Sequence, residues 1–128
     1  MELVEIWEPE RCYVWMKRWL DAGINVALGS GTPTSPWYKS QVTLFGAVAR
    51  LGADNKPFHP EQAIIIQESL YAHTTGSARA AFEENVNGWL EPGKFAGLVV
   101  WSRDFYSSPT RDLLKVNANL TIINDEIQ

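Results

Sequence analysis

The chain has 128 residues, enough for one domain. With 45% hydrophobic and 20% charged residues it is not a disordered polymer. Its net charge of −4, with Lys and Arg scattered, supplies no basic patch for nucleic acid or an anionic membrane.

The single cysteine, Cys12, excludes an intrachain disulfide and suits a reducing, cytoplasmic setting. Glu2, Glu5 and Glu8 after Met1 oppose the basic start of a signal peptide. No apolar run nears the ~20 residues of a membrane span. Six tryptophans is a high number for so small a core, so some are expected to face a partner surface.

In chain order, Glu8-Pro9 opens a helix whose apolar stripe is Cys12, Trp15, Met16, Trp19 and Leu20, at i, i+3, i+4, i+7 and i+8. Gly23 closes it. Ile24 to Leu28, apolar and partly β-branched, predicts a short buried parallel strand. The turn-forming run Gly29 to Pro36 is the loop at its C-terminal end, where α/β folds bind ligands.

Gln41 to Leu51 predicts a helix with Val42, Phe45, Val48 and Ala49 on one side, followed by a loop to Phe58. His59-Pro60-Glu61 starts another helix, running to about His73. Thr74 to Ser77 interrupts it, and a shorter Ala-rich helix continues through Ala78, Ala81 and Phe82 to Glu84. Leu90-Glu91-Pro92-Gly93-Lys94 predicts a tight turn, with Pro-Gly suggesting type II. Gly97 to Trp101 and Val116 to Ile123 are strand candidates, the second alternating apolar and polar positions. A lone buried parallel strand needs neighbours on both sides, so the pattern reads as the last piece of a larger sheet or barrel.

Four segments together resemble one family. Trp19-Leu20-Asp21-Ala22-Gly23-Ile24-Asn25-Val26-Ala27-Leu28-Gly29-Ser30-Gly31-Thr32-Pro33 looks like the last barrel strand of the amidohydrolases, in the branch called amidohydrolase family 3 (YtcJ-like). Glu68 to Ala78 is similar to that family's helix pair after the barrel. Gly88-Trp89-Leu90-Glu91-Pro92-Gly93-Lys94-Phe95-Ala96-Gly97-Leu98-Val99-Val100 resembles its G-x-L-x-P-G-K-x-A-D-L-V-V segment, and Leu120 to Asp125 its closing strand.

The resemblance implies an α/β chain, the C-terminal portion of a metal-dependent hydrolase (β/α)8 barrel. Residues 1–87 would form the last barrel strand and helices, and residues 88–128 part of a small β-subdomain. The family's H-x-H, bridging lysine or carboxylate and later histidines all lie upstream of this portion. Two departures matter. The family's metal-binding, water-activating aspartate falls at Gly31, beside Ser30 and Thr32, and the aspartate of A-D-L-V-V falls at Gly97. Glycine can neither take a proton nor hold a metal. No catalytic, cofactor or metal residue is therefore assigned in this chain, although the parent family uses a divalent metal such as zinc.

The remaining chemistry-bearing residues read as structural. His59 precedes Pro60 at a helix start, His73 ends a helix where it complements the dipole, and neither sits in H-x-H or H-E-x-x-H. Cys12 lies on an apolar stripe. Ser30 lacks the spacing of a nucleophile elbow, whose glycines would fall at Leu28 and Thr32. Glu61, Glu83 and Glu84 are expected on solvated helix faces. Asp104 follows a strand but is a single carboxylate.

The expectation is a truncated or degenerate amidohydrolase segment, inactive alone, whose parent hydrolyses non-peptide carbon–nitrogen bonds with a metal-activated water. The alternatives are one half of a split enzyme that pairs with an upstream barrel chain, or a non-catalytic protein that associates with itself through its Trp-rich face and strand edge. A small hydrolase built on Ser30 or Asp104 lacks a base or second carboxylate at a recognisable spacing.

Overall fold

The computed structural model describes residues 15–31, 38–51, 55–124 and 126–128. The expected helix start at Glu8-Pro9, Cys12 and Thr32 lie outside the described residues. Helix α1 spans Met16–Asp21. Its Lys17 pairs with Asp21 and, at 3.7 Å, with Glu68. Of the expected stripe Met16 is buried, but Trp15 and Trp19 are 39% and 37% exposed. The two rings therefore border the core instead of filling it, and the Arg18 guanidinium sits 5.1 Å from the Trp15 ring centre.

Ile24 to Leu28 is not a strand: among the described residues it has no ladder partner. Burial does alternate there, with Val26 buried and Leu28 and Ser30 half-buried while Asn25, Ala27, Gly29 and Gly31 are exposed. That period of two belongs to an extended chain lying on a surface. The sequence encodes the extended backbone, but strand status needs a neighbour that these residues do not supply.

Helix α2 spans Ser40–Ala49. Its deeply buried positions are Gln41, Leu44 and Ala47, not the expected Val42, Phe45, Val48 and Ala49, which are half-buried. The helix is apolar on several sides, so tertiary contacts decide which stripe goes deepest. Gln41 is accommodated because its Nε2 donates to the Val116 carbonyl at 2.8 Å.

The helix expected from His59 to His73 is split. Pro60–Gln62 is a single 3-10 turn, and helix α3 begins at Ile66 and ends at His73. Between them the Ile64 N–H donates to the Ala47 carbonyl at 3.2 Å and the Ile64 side chain is 2% exposed. A β-branched Ile64-Ile65-Ile66 run with a partner outside the helix has little reason to coil. Glu68 caps α3 by accepting from the Ile65 N–H at 3.0 Å. The break then falls at Thr74 alone, and helix α4 runs Thr75–Ala80, starting inside the segment expected to interrupt it and ending before Phe82.

Downstream, the Lys94 N–H bonds the Glu91 carbonyl at 3.1 Å and Gly93 has φ +94°, the geometry of a type II turn. Strands β1 (Leu98–Trp101), β2 (Ala118–Ile123) and β3 (Glu126–Ile127) form an antiparallel sheet in that order, with Leu98 opposite Ile122 and Ile122 opposite Ile127. The register slips between Val100 and Trp101. Val116, expected inside β2, instead caps a 3-10 helix, Thr110–Lys115, and is fully buried.

Two apolar clusters hold these pieces. Leu44, Phe105, Leu113 and Val116 form one, with Phe45, Ile66, Leu70 and Trp101 against it. Met16, Ala47 and Ile64 form the other, with Leu20 and Leu28 against it. Leu44→Ala empties a 2%-exposed position in the first cluster. It is expected to cost about 2–5 kcal/mol of unfolding free energy, read from the urea midpoint of the variant against the parent chain.

Candidate functional site

The residues that sequence places at the end of the expected strand lie across the α3–α4 junction. The Leu28 N–H donates to the Ala72 carbonyl at 3.0 Å. The Ser77 hydroxyl lies 2.8 Å from the Ala72 carbonyl and 3.3 Å from that of Leu28. Asn25 Nδ2 donates to the Gly76 carbonyl at 2.9 Å. Gly76 is required by this approach, because a Cβ there would sit 2.2 Å from the Val26 carbonyl oxygen. The chain then leaves through Gly29, the half-buried Ser30 and Gly31, whose φ is +67°.

His73 ends α3 and ties it to α2. Its Nδ1 lies 2.8 Å from the Ser69 carbonyl and its Nε2 2.7 Å from the Thr43 hydroxyl. A carbonyl can only accept, so Nδ1 carries a proton. The Thr43 oxygen also lies 2.9 Å from the Ser40 carbonyl. Burial favours the neutral ring and lowers the His73 pKa below its ordinary value, outweighing the hydrogen bond to Ser69, which acts the other way. His73 ends its helix as expected, and its two hydrogen bonds make it a pin between helices. Thr43 and Ser69, which the sequence does not single out, complete it.

The other candidates do not converge on this point. His59 Nδ1 lies 3.0 Å from Glu61 Oε1 at an exposed position, and the carboxyl of Glu61 is lowered by a backbone hydrogen bond first and His59 second. Asp104 caps a turn by accepting from the Tyr106 N–H at 2.9 Å, which lowers its pKa. Glu83 is exposed as expected and accepts from Asn87 at 2.8 Å. Glu84 differs from expectation: it is half-buried, and among the described residues its Oε2 has no hydrogen-bond partner. Gly97 lies just before β1, away from the loop.

A groove of about 360 Å³ lies between the start of α3 and residues 105–113, and among the described residues its lining includes no carboxylate, imidazole or thiol. Among the described residues no three His, Cys, Asp or Glu side chains converge to hold a metal. Both His73 nitrogens are engaged, and Gly31 has no side chain. The donor set therefore does not fit the divalent metal that the family resemblance implies. No helix among the described residues is long and apolar enough to cross a membrane.

Comparison with known proteins identifies the class of this arrangement. A sequence model described as "Amidohydrolase family" matches residues 7–127, and the chain belongs to that family. It is 30% identical over 105 residues to N-substituted formamide deformylase of Arthrobacter pascens, a match covering 82% of this chain and 19% of that protein. Among solved structures it is similar to an amidohydrolase from Thermotoga maritima MSB8, with a TM-score of 0.62 and 22% identity, over 84% of this chain and 24% of that one. The fold is thus a mixed α/β unit found within an amidohydrolase. The chain spans only about a fifth to a quarter of the length of these relatives.

Two outcomes follow. Gly76→Ala pushes a methyl group into the backbone of Val26 and is expected to cost at least about 1–3 kcal/mol in the urea midpoint. The depressed His73 pKa makes its contribution fully present above the unfolded value of about 6.5, and lost as pH falls from there through the lower folded value. Denaturation at a series of pH values between about 7.5 and 5 should show this loss, and His73→Gln should flatten it in that window.

Proposed function

We propose that this chain is the C-terminal segment of a family 3 amidohydrolase, the closing part of a (β/α)8 barrel with part of its β-subdomain, and that it has no hydrolytic activity of its own. The parent reaction is hydrolysis of a carbon–nitrogen bond other than a peptide bond. The name of the Arthrobacter relative, a deformylase of N-substituted formamides, points to a small amide as the substrate class. In such a reaction water adds to the amide carbon, the carbon–nitrogen bond breaks, and the nitrogen leaves with a proton as an amine. A divalent metal would supply hydroxide at neutral pH when bound, and its ligands would come from residues outside this segment.

The observation that carries the reading is Gly31. It stands where the resemblance puts an acid, it has a left-handed φ of +67°, and it offers no group that holds or accepts a proton. His73 supports the same reading, since both of its ring nitrogens serve the helix pin.

The test is zinc, iron and manganese per chain on freshly purified protein, together with release of formate from an N-substituted formamide. Far less than one metal per chain and no release above buffer are expected. Gly31→Asp should remain inactive, since one restored carboxylate does not make a ligand set. Metal-dependent hydrolysis by that variant alone would overturn the proposal.

A further inference from the structure

We propose that Asn87-Gly88 is a site of spontaneous covalent modification: the Gly88 peptide nitrogen closes on the Asn87 carboxamide and expels ammonia, and Glu83 slows the closure by holding that carboxamide. The step needs no reagent but water, so it stands whichever activity the chain has.

Of all the asparagines in the sequence, only Asn87 is followed by glycine. A Cβ on the following residue crowds the peptide nitrogen as it approaches the carboxamide carbon, and Gly88 has none. Packing requires that glycine. Its φ is +102°, and a Cβ there would sit 2.9 Å from Ala78 Cβ and 3.2 Å from Thr75 Cα. The Thr75 hydroxyl, at the start of α4, donates to the Gly88 carbonyl at 3.1 Å. The residue that lets the chain pass close to α4 is therefore the one that makes the pair labile.

The reacting nitrogen is available. Among the described residues the Gly88 N–H donates to no backbone acceptor. Asn87 and Gly88 are half-buried, but Asn85, Val86 and Trp89 around them are exposed, so water and hydroxide reach the pair. The carboxamide is restrained: Asn87 Nδ2 donates to Glu83 Oε2 at 2.8 Å. That bond must break before the carboxamide turns toward Gly88. The Glu83 carboxylate also repels a deprotonated peptide nitrogen, which is anionic.

The atoms balance as follows. Hydroxide takes the Gly88 amide proton. The nitrogen bonds to Asn87 Cγ, the Cγ–Nδ2 bond breaks, and ammonia leaves after gaining a proton from water. Water then opens the five-membered succinimide. Opening at Cγ leaves aspartate, and opening at the main-chain carbonyl carbon leaves isoaspartate, whose backbone runs through Cγ. Either product adds one negative charge to the −4 of the intact chain and sets a carboxylate against Glu83, where an amide had donated. Isoaspartate also lengthens the backbone beside the contact with α4.

The test incubates the 128-residue chain folded and, in parallel, unfolded in urea. Mass spectrometry follows the Asn87 peptide, and an isoaspartate-specific methyltransferase counts isoaspartate. Modification of Asn87 in the folded chain is expected within about tenfold of its rate in urea. Glu83→Ala, at an exposed position, should raise the folded rate roughly two- to tenfold and leave the urea rate unchanged. Asn87→Gln, which would need a six-membered ring, should lose the isoaspartate signal. Circular dichroism melts check that both variants fold.

Three results would overturn the proposal. The first is a folded rate more than about tenfold below that in urea, since the reaction would then wait on local unfolding. The second is a folded Glu83→Ala chain that reacts no faster than the parent. The third is isoaspartate that persists in Asn87→Gln, which would place the modification elsewhere.

Discussion

Helix α2 is the constraint on which the rest of the structure depends. Ten residues long, it places Leu44 in one apolar cluster and Ala47 in the other. Its Gln41 side chain holds the approach to β2 through the Val116 carbonyl, and the Ala47 carbonyl holds Ile64 out of the following helix. Neither cluster is large. Net stabilities of folded domains are small differences between large terms, so each residue buried in these two clusters counts for a large fraction of the total.

The legible parts of the sequence were those set by local chemistry. Pro92-Gly93 gave its turn, α2 lies within one or two residues of its expected bounds, and both strand candidates fall in the antiparallel sheet. What the sequence misassigned depends on partners far along the chain. The inward face of α2 is chosen by Val116, 75 residues away from Gln41. Ile64 leaves the helical pattern because Ala47 offers a carbonyl. The family was legible because four motif segments occur in order, and the family match over residues 7–127 agrees with them.

The candidate site was less legible. Gly31 as a departure could be read directly, since a missing side chain is visible in a sequence. The Gly76–Val26 approach and the His73–Thr43 pin could not, because Thr-Thr-Gly-Ser looks like an ordinary turn and Thr43 an ordinary helix residue. Here α4 starts within that supposed turn because Gly76 lets the Val26 backbone come close enough to lie across it. The same contact places the loop toward Gly31, so one glycine that packs determines where another, chemically empty, ends up.

The Thr43 hydroxyl has a single hydrogen and two acceptors within reach, the Ser40 carbonyl and the Nε2 of a neutral His73. Satisfying one leaves the other short. The first turn of α2 and the last turn of α3 therefore share one hydroxyl hydrogen. A proton arriving on His73 ends the competition, since the ring then donates to Thr43 and frees its hydrogen for Ser40. The charge of one imidazole thus decides which acceptor the Thr43 hydrogen serves, and acidification frees that hydrogen only by charging a buried ring.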